Sequence, residues 1–179
     1  MIQLAPYDEA WPRMFEQEAR RLRALFGELA VRIEHVGSTA VPGLSAKPVI
    51  DIQVSVAELA PFEGYRQLLA SAGYAHVPLG DFDRVYPFFQ KPAAWPCTHH
   101  LHLCASGGEQ EARHLSFRDH LRRHPHVARQ YLELKQRLAA QHHGETQASR
   151  ESYSLAKGPF VEAVLIEAMR EAPAPPLRS

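Results

Sequence analysis

From Val31 to Val56 the sequence reads as a strand, a small-residue turn, a short connection and a second strand. Val31, Ile33 and Val36 supply the β-branched residues of the first strand, and Gly37 ends it. Gly37 lets a ligand approach the main chain, and Ser38 and Thr39 add hydroxyls. Free N–H groups at such a turn bind anions, phosphate above all. Pro42-Gly43 punctuates the connection, Lys47 places a positive charge before the second strand, and Pro48 fixes its entry. In that strand Ile50, Ile52, Val54 and Val56 share one face, and Asp51, Gln53 and Ser55 share the other. An acid inside an apolar run is informative, because a carboxylate is rarely buried without a partner.

Ahead of this unit, Asp8 is placed to cap a helix that carries Pro12 in its first turn. Trp11, Met14, Phe15, Leu22, Leu25 and Phe26 form its apolar stripe, and Gly27 closes it. Further on, residues 60–72 read as a helix stopped by Gly73, 74–77 as a short strand, and 84–91 as a strand in which Pro87 marks an edge or a bulge. Residues 98–104 alternate, with Thr98, His100, His102 and Cys104 on one face and His99, Leu101 and Leu103 on the other. From Glu109 onward the pattern is helical. One helix spans 112–123, a second is marked by Val127, Tyr131, Leu134 and Leu138, and a third is capped by Thr146 with Tyr153 on its inner face. Gly158-Pro159 interrupts that helix before Phe160, Val164 and Leu165 resume the stripe. Strands gathered before helices give an α+β fold. Residues 1–171 read as a single domain and the proline-rich 172–179 as a flexible tail.

Composition narrows the function classes. The 179 residues, 45% hydrophobic and 22% charged, are those of a soluble globular protein. No apolar run reaches the length of a membrane span, and the first residues lack the marks of a signal peptide. Cys97 and Cys104 are too few for a disulfide scaffold, so a cytoplasmic protein with reduced thiols is expected. Lys+Arg and Asp+Glu balance at 20 each, which argues against long nucleic acid as the partner. No Walker motif, dinucleotide-binding glycine fingerprint, HExxH or nucleophile elbow is present.

His35-Val36-Gly37-Ser38-Thr39-Ala40-Val41-Pro42-Gly43-Leu44, followed by Ala46-Lys47-Pro48-Val49-Ile50-Asp51-Ile52, resembles the signature of the GrpB family, a branch of the nucleotidyltransferase-like superfamily. The likeness covers nearly the whole chain, including Tyr7, Trp11 and Phe15, His100-Leu101-His102, Phe117-Arg118-Asp119, and Arg150, Tyr153 and Lys157. It implies a small mixed sheet backed by helices, with a helical C-terminal third. It also implies metal-dependent transfer of a nucleotidyl group to a small-molecule acceptor. In the superfamily a Gly-Ser turn holds phosphates, two carboxylates at alternate positions of the next strand hold metal, and a later strand often adds a third acid. Gly37-Ser38 match the turn and Asp51 matches the first carboxylate, the catalytic position. The second position is Gln53, which is neutral and supports the pocket rather than ligating. A single carboxylate can anchor a Mg²⁺ that keeps several waters, but a two-metal site is incomplete. By the superfamily's order of elements, the His100–His102 strand lies beside that of Asp51 and takes the place of the third acid.

Two histidines spaced by two on a strand project together. With Asp51, His100 and His102 would favour Mn²⁺, Fe²⁺ or Zn²⁺ over Mg²⁺; alternatively they are hydrogen-bonded histidines of a half-buried face. Beyond the turn residues Gly37, Ser38 and Thr39, the candidate phosphate ligands are Lys47, Arg84, Lys91, Arg118, Arg150 and Lys157. Arg150, Tyr153 and Lys157 follow at helical spacing and suit a nucleotide or an acidic partner. His120 and His124, one turn apart, and His142-His143 read as solvated. Three functions remain open: a nucleotidyltransferase-like enzyme, a degenerate module that binds a nucleotide or other phosphorylated small molecule without chemistry, and an interaction protein that uses its helical half.

Overall fold

The computed structural model describes residues 2–142, 144 and 146–171, with Gln147 described through its backbone alone. The expected tail at 172–179 and His143 lie outside the described residues. The strand–turn–strand unit forms as the sequence dictates: β1 (Ala30–Val36) pairs antiparallel with β2 (Ile50–Val56). Three more strands complete a mixed sheet, β3 (Ala75–Val77), β4 (Phe88–Lys91) and β5 (His99–Ala105), in the order β1-β2-β5-β4-β3. The β2–β5 pair is parallel; the other pairs are antiparallel.

The two faces of the sheet follow the period-two alternation. Ile33, Ile50, Ile52, Val54, Val56, Phe89, Leu101 and Leu103 form one apolar face, buried with Trp11, Leu22 and Phe26 of α1 (Trp11–Phe26) and Tyr65 and Leu69 of α2 (Phe62–Ser71). Each such side chain, removed from water, stabilises the fold by roughly 1.5–3 kcal/mol before entropy opposes it. The other face carries Asp51, Gln53, His100 and His102, brought level by the pairing of Asp51 with His100 and of Gln53 with His102. Of the C-terminal helices, α3 (Glu109–Arg123) packs against β1 and β5, and α4 (Pro125–Gln141) and α6 (Gly158–Glu171) pack against α3; α5 (Gln147–Leu155) brings Tyr153 under Lys47 and Lys157.

Several boundaries differ from the sequence expectation for local reasons. Of the stretch 84–91 only Phe88–Lys91 pairs as a strand, while Gly80–Arg84 is a 3-10 turn. Pro87 has no N–H to give to the ladder, although its carbonyl still accepts from Leu103. Asp8 does not cap α1 directly; its carboxylate accepts from the Ala10 N–H ahead of the first turn. At Gly158-Pro159 the helix breaks as expected, α5 ending at Leu155 and α6 beginning at Gly158. Thr146 caps α5 as expected, its hydroxyl accepting from the Ser149 N–H at 3.2 Å. Among the described residues no helix is long and apolar enough to cross a membrane.

Candidate functional site

The turn that ends β1 sits on the carboxylate of β2. Gly37 has φ +69°, and a Cβ there would stand 2.3 Å from Asp51 Oδ2. Only glycine fits that backbone and that contact. On the other side of Asp51, His100 donates from Nδ1 to Oδ1 across 3.1 Å, and its Nε2 meets Cys97 Sγ at 3.2 Å. Burial pulls the His100 imidazole down, but the hydrogen bonds and charges of Asp51 and Cys97 outweigh it and hold it at about 9. Burial likewise pushes the Asp51 carboxyl up, while His100, His102 and Lys157 bring it below the ordinary carboxylate range. The pair is therefore a carboxylate and an imidazolium at neutral pH.

His102, one step further into the sheet, is different. Its ring stacks on Tyr86 with centroids 4.9 Å apart, and the Tyr86 hydroxyl lies 2.6 Å from His114 Nδ1. Burial, with the neighbouring His114 ring, pulls His102 down to about 3; burial pulls His114 down to about 4. Both are neutral at physiological pH. His102 Nδ1 is buried without a hydrogen-bond partner among the described residues, as are both amide atoms of Gln53, whose side chain is fully enclosed.

Three lysines surround the single acid. Lys47 and Lys157 each stand over the buried Tyr153 ring, at 4.5 and 4.6 Å from its centroid. Lys135 stands over the Tyr131 ring at 5.0 Å and donates to the Ser45 carbonyl. Burial pulls Lys135 down to about 7, helped by the charge of Lys157; burial and Lys47 pull Lys157 down to about 8. Lys47 is lowered too, chiefly by burial. In all three the attraction of Asp51 opposes the shift, so one carboxylate answers three crowded cations. The Ser38 side chain lies close enough to the Tyr131 hydroxyl to offset part of the upward push that burial gives that phenol.

Lys47 and Cys97, the partner of His100, connect this group to a cavity of about 490 Å³. Lys47, Cys97, Trp95 and Arg150 are among its lining residues, with the Arg150 guanidinium 4.5 Å from the Trp95 ring centroid. A cation at the mouth, an aromatic surface beside it and lysines within suit a ligand with a flat ring and phosphates.

The expected site residues divide cleanly. Lys47 and Arg150 line this cavity; Gly37 and His100 contact Asp51, His102 and Lys157 act on its charge, Tyr153 lies under Lys47 and Lys157, Ser38 is beside Tyr131, and Gln53 pairs with His102 in the sheet. Thr39 faces away: it is buried and its hydroxyl lies between His35 Nε2 and the Val49 carbonyl. Lys91 pairs in register with His99, so it belongs to the opposite face, where it binds the buried Glu18 at 2.7 Å. Arg84 is exposed beside Asp81. Arg118 is held by Glu34 and Asp119, both at 2.7 Å, and by the His35 carbonyl. The expectation that His120 is solvated is overturned; it is almost wholly buried. Sequence reasoning missed His114, Tyr86 and Trp95, for which no local signal exists. Lys135 had one: it sits four residues after Tyr131, within the inner stripe of α4.

The donor set for a metal is short. His100 is a double hydrogen-bond donor, Gln53 is neutral, and Glu34 is committed to Arg118. Among the described residues, the cluster whose ligand atoms all come within 4.8 Å of one another is His120, His124 and Glu171, at the C-terminal end of α3, and not Asp51, His100 and His102. The pocket as folded does not fit a two-metal centre.

The sequence model of the family described as GrpB protein matches residues 1–167. This chain belongs to the GrpB family. It is 35% identical to the glutamate-rich protein GrpB of Alkalihalophilus pseudofirmus over 167 residues, covering 92% of this chain and 94% of that one. It is also 35% identical to the UPF0157 protein YqkA of Bacillus subtilis over 141 residues, 79% of this chain but 40% of that longer protein. A 76-residue segment is 42% identical to part of a dephospho-CoA kinase of Mycolicibacterium paratuberculosis, 19% of that protein's length. The crystal structure of the conserved protein GrpB from Enterococcus faecalis superposes with a TM-score of 0.80 at 33% identity, over 94% of this chain and 98% of that one. The mixed sheet and helical C-terminal part are thus the architecture of GrpB proteins, in keeping with the nucleotidyltransferase-like superfamily.

Proposed function

We propose that the pocket beside Asp51 binds a phosphorylated small molecule of the nucleotide or coenzyme class, its phosphates held directly by Lys47, Lys135 and Lys157. The supporting observation is the charge imbalance: three part- or fully buried lysines face one carboxylate, which is itself tied to an imidazolium. Burying cations without matching counter-charge is costly, and a phosphate dianion supplies what the fold leaves out. The Gly37–Ser38 turn lets the ligand reach main chain, and Trp95 with Arg150 offers a flat surface for a base. The segment shared with a protein named for dephospho-CoA, a nucleotide-containing coenzyme precursor, points to the same ligand class.

Nucleotidyl transfer with Mg²⁺, Mn²⁺ or Zn²⁺ is the second reading. It is favoured by the contact between the Gly37 turn and Asp51, the pairing of turn and carboxylate that such chemistry uses. The short donor set around Asp51 weighs against it.

Thermal unfolding against a panel of nucleotides and coenzymes, with EDTA or with each metal, separates these readings. A ligand at a hundred times its dissociation constant stabilises the fold by about 2.7 kcal/mol. The first reading expects a shift that survives EDTA and shrinks in Lys157→Met. The second expects a shift that needs metal and disappears in Asp51→Asn. No shift with any combination, in proteins that fold normally, would remove both.

A further inference from the structure

Where the end of α3 meets the end of α6, three potential metal donors converge. His120 lies near the end of α3 and His124 at the junction of α3 with α4, one helical turn apart. Glu171 reaches them from the end of α6. His120 Nδ1 is 3.3 Å from Glu171 Oε2, His124 Nε2 is 3.0 Å from the same oxygen, and the two rings, tilted by 35°, have centroids 4.2 Å apart.

His120 makes the arrangement unusual. It is 1% exposed, and neither ring nitrogen forms a hydrogen bond among the described residues. A buried ring nitrogen left unpaired beside a carboxylate oxygen calls for a partner, and a cation held between them would supply one. The protein cation nearby, Arg123, is 3.9 Å from Glu171 and does not enter the gap; Glu167, 3.8 Å from His120 Nε2, adds further negative charge.

We infer that His120, His124 and Glu171 form a Zn²⁺ site. A tetrahedral Zn²⁺ with arms of about 2.0–2.1 Å places its ligand atoms about 3.3 Å apart; here Glu171 Oε2 stands 3.3 and 3.0 Å from the two imidazole nitrogens, and all three ligand atoms lie within 4.8 Å of one another. Two imidazoles and one carboxylate suit Zn²⁺ better than Mg²⁺ or Ca²⁺, and water completes the fourth position. The ion would fasten the end of α3, the start of α4 and the end of α6 together. The site shares no residue with the Asp51 pocket and does not depend on the function proposed for it.

The test is equilibrium dialysis with Zn²⁺, and Co²⁺ absorption, on a chain carrying Asp51→Asn and His100→Gln so that the sheet pocket cannot contribute. One tightly bound Zn²⁺ per chain is expected, with a tetrahedral Co²⁺ spectrum free of thiolate charge-transfer bands. Adding His124→Gln or Glu171→Gln, both at accessible positions, should weaken binding at least tenfold while the metal-free melting temperature stays within a few degrees. Absence of tight Zn²⁺ in the parent variant, retention after either added substitution, or a thiolate band would overturn the inference.

Discussion

The Asp51 carboxylate occupies the space that a side chain at Gly37 would need, with Oδ2 2.3 Å from where that Cβ would lie. Turn and acid are therefore one structural unit, each fixing the other. Gly37→Ala must move the carboxylate or the turn, and also adopt φ +69° with a Cβ. Destabilisation of about 1–3 kcal/mol in urea unfolding is expected, with loss of ligand binding. Gly43→Ala, at φ +77° with open space around it, should cost stability through backbone strain without affecting binding.

The Asp51–His100 pair gives stability a definite pH dependence. His100 titrates near 9 in the fold against its ordinary 6.5, so its contribution is complete below 6.5 and is lost as pH rises through 9. The stability difference between wild type and His100→Gln should narrow by about 1–3 kcal/mol between pH 6.5 and 9.5, read from urea melts.

Acid should act through other histidines. His35 is buried, stacked on Phe15 and lowered to about 4 by burial; His102 and His114 are lowered to about 3 and 4. Unfolding lets all three take up protons below pH 6.5, so stability should fall steadily from 6.5 toward 4. Each contributes a slope of about 1.4 kcal/mol per pH unit when fully engaged. His114→Gln should flatten the profile by about one proton.

Lys91 should matter for folding and not for ligand. It neutralises Glu18, which is 2% exposed and also accepts from the Tyr74 hydroxyl at 3.0 Å. Lys91→Met leaves the buried carboxylate with the Tyr74 phenol and the largely exposed Arg21 guanidinium, 3.2 Å from its other oxygen, and should destabilise by about 1–3 kcal/mol. Affinity for the ligand should stay within twofold of wild type in calorimetry, and Arg84→Ala should change neither quantity.

Where residues are close in sequence and obey one period, the fold and the site are legible. The turn at Gly37, the alternation that sorts Asp51 from Ile50, and the pairing of faces in 98–104 all follow from strand geometry. Lys91 departs from expectation because residues 84–91 do not fold as one strand; its parity with His99, set only by the β4–β5 register, sends it to the opposite face. Thr39 shares a turn with Ser38 but points to His35, because the 3-10 turn at Ser38–Ala40 rotates successive side chains apart. His120 reads as solvated because α3, taken alone, has no sharp apolar stripe; the end of α6, some fifty residues later, is what encloses it. The Tyr86–His114–His102 stack likewise joins three distant segments that no spacing rule connects.

The central claim is that the lysines, not a metal on Asp51, hold the ligand's phosphates. The most direct measurement is the affinity, by titration calorimetry in EDTA, of the nucleotide or coenzyme found in the thermal panel for wild type, Lys157→Met and Asp51→Asn. Direct lysine–phosphate contact predicts at least tenfold weaker binding in Lys157→Met, in line with the roughly 1.5–3 kcal/mol of a charged hydrogen bond, and equal or tighter binding in Asp51→Asn, where a repelling carboxylate is gone. Unchanged affinity in Lys157→Met, or binding abolished by EDTA and by Asp51→Asn alike, would contradict it.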